Sequence, residues 1–387
     1  MARLCESVLC TGCRACAQSC PHGCITMKPD HEGFFRPVAD SARCTECGAC
    51  SAACPVLNKP ASGNLPEAYA AKNRDEAVRS VSSSGGIFTL LAEQVLAQGG
   101  VVFGAAYDAD FKVEHRMVES PGQLSVLRGA KYAQSDVGDS FRQVREQLSR
   151  GKTVLFSGTP CQVSGLRAFL GKEEPNLILV DQVCHGSPSP AVWEQYLRWR
   201  SEQTADGHRP VTVNLRSKDT GWSNYSADIR WPYGVNYAAS RQNDPYLRAY
   251  LEALCLRPAC HRCSFKGLNR PSDFTLGDYW GVGDQMPAMN DNKGTSIVLL
   301  HTEKAKQLWA QLSDLVTARP ADVRRCMDHN PAALQSAKYD PELRNSFLLR
   351  YQGEDFAALV DELAPRKSGS EDFSSRIAGK LRRFLKF

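Results

Sequence analysis

From residue 68 onward the hydrophobic pattern alternates between short apolar runs and helical periods. Residues 68–71 (Ala-Tyr-Ala-Ala) read as a short strand. Ser82-Ser83-Ser84-Gly85-Gly86 then opens a segment in which Ile87, Leu90, Leu91 and Leu96 recur close to a helical period. Residues 153–157 read as a buried strand. Gly158-Thr159-Pro160-Cys161-Gln162 turns into a helix, with Thr159 as N-cap and Pro160 at the first helical position, running to about Leu170. After a turn at Pro175-Asn176, residues 177–183 form a second buried strand, and a further strand is expected to end at Asp278-Tyr279-Trp280. A strand–helix–strand unit predicts two parallel strands joined by a right-handed crossover. Cys161 and Cys184 follow the C-terminal ends of those strands. Both are expected on the sheet edge where open α/β folds bind ligands.

Ahead of residue 66 the ordering principle is cysteine. Ten of the sixteen cysteines lie in the first 54 residues. Eight form a repeat: Cys10, Cys13, Cys16 and Cys20 before Pro21, then Cys44, Cys47, Cys50 and Cys54 before Pro55. Three thiolates spaced by two residues wrap one [4Fe–4S] cubane, and the fourth, followed by proline, ligates the other cluster. Cluster one is therefore expected on Cys10, Cys13, Cys16 and Cys54, and cluster two on Cys44, Cys47, Cys50 and Cys20. Small residues between them (Gly12, Ala15, Gly48, Ala49) suit a backbone packed tightly round inorganic sulfide. Paired zinc sites are the competing reading, but zinc has no use for the duplicated run with its trailing proline. The first 57 or so residues resemble bacterial two-cluster ferredoxins. Cys5 and Cys24 are left without a role. A linker rich in structure-breaking residues follows over 58–66.

Composition narrows the class. The chain has 387 residues, 42% hydrophobic and 23% charged, enough for two or three units at roughly 150 residues each. It contains no apolar run near the ~18 residues of a spanning helix. The first residues lack the apolar run of a secretory signal, so a cytoplasmic location is expected and the cysteines point to metal or redox chemistry. The net charge of +5 resides in the stretch from Arg366 onward. A neutral body with a basic tail argues against a nucleic-acid partner. In that tail Ile377, Leu381, Phe384 and Leu385 share one helical face among basic residues. Contact with an anionic membrane surface or a partner is open, beside the plainer reading of a terminal helix packed on its own domain.

The second module has its own candidate chemistry. Cys260 and Cys263, in a Pro/Arg-rich loop, join Cys161 and Cys184 as a four-cysteine site. A third [4Fe–4S] cluster is preferred there over structural zinc or free thiols. Cys255 and Cys326 read as buried small hydrophobes. A serine cap with Gly85 and Gly86 before a helix offers N–H groups to an anion, although an ordinary N-cap explains it as well. No GxGxxG occurs, and Gly151-Lys152-Thr153 mimics a P-loop end without its first glycine.

Five motifs occur in order: Ser-Ser-Gly-Gly at 83–86, Ala130-Lys131-Tyr132-Ala133-Gln134-Ser135, Gly158-Thr159-Pro160-Cys161-Gln162, Cys184-His185-Gly186 with Pro188-Ser189, and Cys260-x2-Cys263 leading to Gly277-Asp278-Tyr279-Trp280-Gly281. Together, over about 66–300, they resemble the beta-subunit family of coenzyme F420-reducing hydrogenase and dehydrogenase, to which plant 7-hydroxymethyl chlorophyll a reductase is also similar. The resemblance implies an α+β ferredoxin-like dicluster domain (1–58), then an α/β flavin-binding domain of the F420 hydrogenase beta-subunit type (66–340), then a C-terminal helical basic tail (341–387). It implies FAD fed by iron–sulfur clusters. Many bacterial members accompany surface-polysaccharide genes. One departure is Gly129-Ala130-Lys131, where the family often has serine before the lysine.

With FAD bound, Ser84, Gly85 and Gly86 are candidates for its pyrophosphate, and Lys131 for the ring or phosphate, where a positive group tunes the flavin. Thr159 and Gln162 are candidates for the isoalloxazine. Asp278 with Tyr279 and Trp280 either lines the site or fills core. His115, His185 and Lys131 are the catalytic candidates, a histidine pKa suiting proton transfer; for each histidine a structural role is the alternative. The polar loop 218–222 is a candidate substrate lid. The leading expectation is an oxidoreductase taking electrons from a donor such as ferredoxin to a small-molecule substrate, as a homo-oligomer. An electron-transfer subunit serving F420 or a partner hydrogenase or dehydrogenase competes with it, and so does a zinc-stapled sugar- or protein-binding module.

Overall fold

The computed structural model describes residues 2–60 and 65–366; the amphipathic tail at 376–387 lies outside the described residues. The N-terminal module is small because its cysteine loops leave little room for regular structure. It has one turn of helix at the third cysteine of each run, α1 (Ala15–Ser19) holding Cys16 and α2 (Ala49–Ala52) holding Cys50. Between them lies an antiparallel hairpin of β1 (Ile25–Pro29) and β2 (Phe35–Ala39), with Ile25 opposite Ala39.

The chain then enters β3 (Glu67–Asn73), passes α3 (Glu76–Ser80) and α4 (Ile87–Ala97), and continues through β4 (Val101–Tyr107) and β5 (Val113–Val118). Next come α5 (Ser140–Ser149), β6 (Val154–Ser157), α6 (Pro160–Leu170) and β7 (Leu177–Gln182). A long helix, α7 (Pro190–Ala205), leads to a separate three-stranded antiparallel sheet of β8 (Thr212–Ser217), β9 (Ser226–Arg230) and β10 (Asn236–Ser240). After α8 (Pro245–Leu251) the chain returns to the main sheet with β11 (Phe274–Asp278), α9 (Val282–Gln285), β12 (Ser296–Leu300), α10 (Glu303–Gln311) and β13 (Val316–Ala321). It closes with α11 (Pro341–Arg350) and α12 (Phe356–Leu363).

The main sheet has eight strands in the order β13-β3-β12-β11-β7-β6-β4-β5. Its centre, β4, β6, β7 and β11, is parallel, while β5, β12 and β13 each run antiparallel to their neighbours. Side-chain alternation divides β4 between two cores: Val102 and Ala106 face α4 and α10, whereas Val101 and Phe103 face α5 and α6. A third core gathers Trp193, Tyr196, Tyr246, Phe347 and Phe356 from α7, α8, α11 and α12 beside the small sheet. The helices after residue 340 are thus built into the body of the second unit, because Phe347, Phe356 and Leu359 complete that aromatic core.

Helix starts follow local chemistry. Proline occupies the first turn of α6, α7, α8 and α11. Ser189, Asp244 and Asp340 cap three of these by accepting backbone N–H groups. The expected serine cap of α4 is replaced by Gly86 at φ 80°. Its serines are spent elsewhere: Ser82 Oγ donates to Val78 O and Ser84 Oγ to Thr295 O. Gly85 packs so closely on the sheet that a Cβ would lie 2.4 Å from Ala71 O. Among the described residues no helix is long and apolar enough to cross a membrane.

Candidate functional site

Each cysteine loop must turn its thiols inward, which takes a left-handed residue on either side of the second cysteine. The two loops do this at equivalent positions, Gly12 (φ 70°) and Arg14 (φ 62°) in the first, Glu46 (φ 56°) and Gly48 (φ 77°) in the second. Cys10, Cys13, Cys16 and Cys54 wall one small cavity, together with Cys5, Met27 and Pro37. Cys20, Cys24 and Cys50 share a second cluster with Cys44 against it, while Cys47 is exposed. Cys54, the fourth cysteine of the second run, thus stands with the first three of the first run, while Cys20 packs with Cys44 and Cys50 and the exposed Cys47 lies outside that cluster. Among the described residues no three histidine, cysteine or carboxylate groups converge as a single-ion site demands. Thiols set round a cavity, with a backbone bent inward beside them, fit a cubane. Cys24 lies at the second group, its Sγ 3.3 Å from Cys20 Sγ and its N–H donating to that sulfur.

The third cysteine group comes from three separated segments. Cys161 is the second residue of α6, Cys184 follows β7, and Cys260 and Cys263 sit in and just after a short 3-10 turn, Pro258–Arg262. Burial raises the Cys161 thiol pKa well above its usual value, and the neighbouring Cys184, Cys263 and Cys260 add to the effect. Donors already point at these sulfurs: Thr159 Oγ1 lies 3.2 Å from Cys161 Sγ, and the Ser187 N–H donates to Cys260 Sγ at 3.3 Å. Lys266 donates to Cys184 O and Ala332 O, placing a cation beside the loop.

A cavity of about 300 Å³ opens at the C-terminal edge of the parallel strands. Ser84, Gly86, Lys131, Thr159, Gln162, Asp278, His115, His185 and Cys184 all line it; Gly85 does not, since its N–H donates to Ser296 Oγ against the sheet. A capping box formed by Thr159 and Gln162 opens α6. Gln162 Nε2 donates to Ser135 Oγ at 2.8 Å. Ser135 Oγ lies 3.0 Å from His115 Nδ1, and His115 Nε2 lies 3.0 Å from Ser157 O. A carbonyl only accepts, so the proton belongs on Nε2 and the serine hydroxyl donates to Nδ1. Every proton of this chain is committed, and burial lowers the His115 pKa to about 4. His115 braces the Thr159–Gln162 cap under Cys161.

Lys131 is half-buried, with Nζ donating to Val126 O and Arg128 O and facing the Tyr107 ring; burial lowers its pKa to about 7. His185 meets the Tyr250 ring edge-on at 5.1 Å, and burial lowers its pKa to about 4. Within the loop 218–222, Lys218 Nζ is tied to the carbonyls of Arg79, Ser84 and Lys293. Trp222 stacks on Trp280 at 4.7 Å and donates to Asp278. That loop is anchored to the cavity wall.

Arg216, in β8, escaped the sequence reading. It is buried, lines the cavity, pairs with Asp278 at 2.9 Å and lies over the Tyr225 ring. Its Nε is buried without a hydrogen-bond partner. The neighbouring wall is aromatic, with Tyr132 stacked on Tyr250 at 4.6 Å. An arginine in a strand carries no sequence signal of its own; only the packing of the small sheet on the cavity reveals it.

The seam between the modules also went unseen. Helix α1 packs against α6, and Gly165 lets it approach: a Cβ there would lie 3.0 Å from Cys13 Sγ. Arg14 pairs with Asp136, Arg142 donates to Gln18 O, and Arg344 forms a two-pronged pair with Glu32. Arg257, 1% exposed, reaches from the Cys260 loop to Cys10.

Comparisons with known proteins agree with this division. The family model for the C terminus of the coenzyme F420 hydrogenase/dehydrogenase beta subunit matches residues 151–323, and its N-terminal counterpart matches 68–141. A 4Fe-4S dicluster domain matches 9–58. No curated protein matches the chain. One similar solved structure is the xenon-derivatised F420-reducing [NiFe] hydrogenase complex from Methanosarcina barkeri. Its matched chain is 15% identical, with 79% of this chain and 90% of that chain covered, at a TM-score of 0.47. With both halves of one family matched in order behind a dicluster domain, the chain belongs to the coenzyme F420 hydrogenase/dehydrogenase beta-subunit family and carries a 4Fe-4S dicluster domain at its N-terminus.

Proposed function

We propose that the chain is an iron–sulfur flavoprotein oxidoreductase that takes electrons from a low-potential donor such as ferredoxin and delivers them to a small-molecule acceptor. The observation that carries this reading is the position of Cys184, which belongs to the third cysteine group and also walls the cavity. Iron–sulfur clusters supply one-electron steps, and FAD converts them into the two-electron change that an organic acceptor needs.

The residues fit those groups in distinct ways. Cys161, Cys184, Cys260 and Cys263 would hold a third [4Fe–4S] cluster, with the Ser187 N–H and Thr159 hydroxyl aimed at its thiolates. The start of α4, with Ser84 and Gly86 on the cavity wall, offers a helix N-terminus to the FAD pyrophosphate. Tyr132 and Tyr250 give an aromatic flank to a flat ring. Lys131 and Arg216 place positive charge near it, and Asp278 orients Arg216. Thr159 and Gln162 fix the wall beside Cys161.

The second reading is an electron-transfer protein that couples FAD to coenzyme F420 or to a partner hydrogenase or dehydrogenase, favoured by the family's designation as a beta subunit. Anaerobic purification with iron, acid-labile sulfide, zinc and flavin measured on one sample tests both. About twelve iron and twelve sulfide with one FAD per chain is the expected result for three cubanes. About eight iron without flavin would overturn it. Turnover of a small molecule by the isolated chain separates the first reading from the second, which predicts dye reduction alone.

A further inference from the structure

Arg257 is the most buried charged side chain at the module seam, and none of its partners neutralises it. Its Nε–H donates to Cys10 O at 2.5 Å, one terminal N–H to Gln134 Oε1 at 2.9 Å, and the other to Phe35 O at 2.9 Å. The guanidinium also reaches Cys10 Sγ at 3.7 Å and lies over the Phe34 ring at 5.2 Å. Among the described residues no carboxylate pairs with it. A buried charge without a counter-charge is strongly unfavourable. The missing negative charge is at hand in the cysteines of the first group. A cubane on four thiolates is net negative in both of its oxidation states, and more so when reduced.

Gly12 is part of the same construction. A Cβ at Gly12 would lie 2.8 Å from the Arg257 guanidinium, so the loop is bare where the arginine rests on it. The main chain of Arg257 completes the link: its N–H donates to Ser187 O, and its carbonyl accepts from Cys260 N–H, both at 2.9 Å. No arginine or lysine contact of this kind reaches a sulfur of the second group among the described residues, where the contact to Cys20 Sγ comes from Cys24 N–H.

We propose that Arg257 is the counter-charge of the cluster held by Cys10, Cys13, Cys16 and Cys54, and makes it the more easily reduced of the two ferredoxin clusters. Electrons entering the N-terminal module then gather on the side that adjoins Cys260. That exit rests on the third-site reading above, whereas the charge effect requires only the dicluster domain.

The test is an EPR-monitored redox titration of anaerobically purified, full-length holoprotein, comparing wild type with Arg257→Gln and Arg257→Lys. Expected for Arg257→Gln is a lower midpoint potential for one ferredoxin cluster, tenfold or more in its reduction equilibrium, about 59 mV for one electron, with the other potentials unmoved. Arg257→Lys should restore most of the shift. Unchanged potentials in Arg257→Gln, or equal shifts in both variants, would overturn the proposal. Should Arg257→Gln lose iron, pulsed EPR on wild type labelled with 15N-arginine decides instead: nitrogen coupling to one reduced cluster is expected, and its absence overturns the assignment. An empty third site would show as low total iron and leave the ferredoxin signals readable, so the two failures are distinct.

Discussion

The two cysteine loops are near copies in sequence and opposites in setting. Both use the same spacing, and both bend at equivalent left-handed positions. Yet Cys10 and Cys13 are 7% and 8% exposed beneath the second module, while Cys47 of the other loop is exposed. The first loop touches α6 through Gly165 and Arg257 through Cys10; the second faces outward. Duplication supplied two equal holders, and docking made one an inner and the other an outer site. Cysteine spacing is therefore local, whereas the burial of each loop is a property of the interface.

The strongest way to break that comparison is to remove a ligand from each loop. Cys54→Ser should lose about four iron per chain and loosen the seam, seen as faster proteolysis of the N-terminal module. Cys47→Ser should lose a similar amount of iron with the seam intact. Equal proteolysis in both variants would contradict the inner–outer distinction. Next in size, Cys184→Ser should cost about four iron while both ferredoxin EPR signals persist; unchanged iron would exclude a cluster there. Smaller still, Glu32→Ala strands the buried Arg344 at the seam, and chemical denaturation should register about 3 kcal/mol of lost stability. A change near zero would mean that the seam is held without this pair.

The last effect, spread over a pH range, concerns acid. His115 titrates near 4 in the fold against an ordinary value near 6.5, so between those values the unfolded chain binds more protons. Stability should fall as pH drops from about 6.5 toward 4, by up to about one proton in slope. His115→Gln should flatten that segment of a stability–pH curve. An identical slope in the variant would show that another group is responsible.

Much of this was legible because it is written in spacing. The duplicated cysteine runs and the β6–α6–β7 unit with Thr159, Pro160 and Cys161 at its turn all depend on neighbours in sequence. Spacing also placed Cys161 and Cys184 at one sheet edge, since topology follows from consecutive elements. Arg216 and Arg257 left no trace, because each acts on residues far away in the chain. Arg257 and Cys10 are 247 positions apart, and nothing near either one announces the other. The serine cap misled for a related reason: Ser84 found a partner in Thr295, on the approach to β12, that no local pattern could show.

Helix α6 carries Cys161 at its second position and Gly165 one turn later, with Gly165 against Cys13. Four residues of helix advance about 6 Å, so one rigid rod spans most of the way from Cys161 to the inner loop. The helix fixes the Cys161–Gly165 part of that spacing, and only the Gly165–Cys13 contact at the seam is left to vary. A larger side chain at Gly165 would act as a shim, pushing the inner loop away from Cys161 without replacing a cysteine.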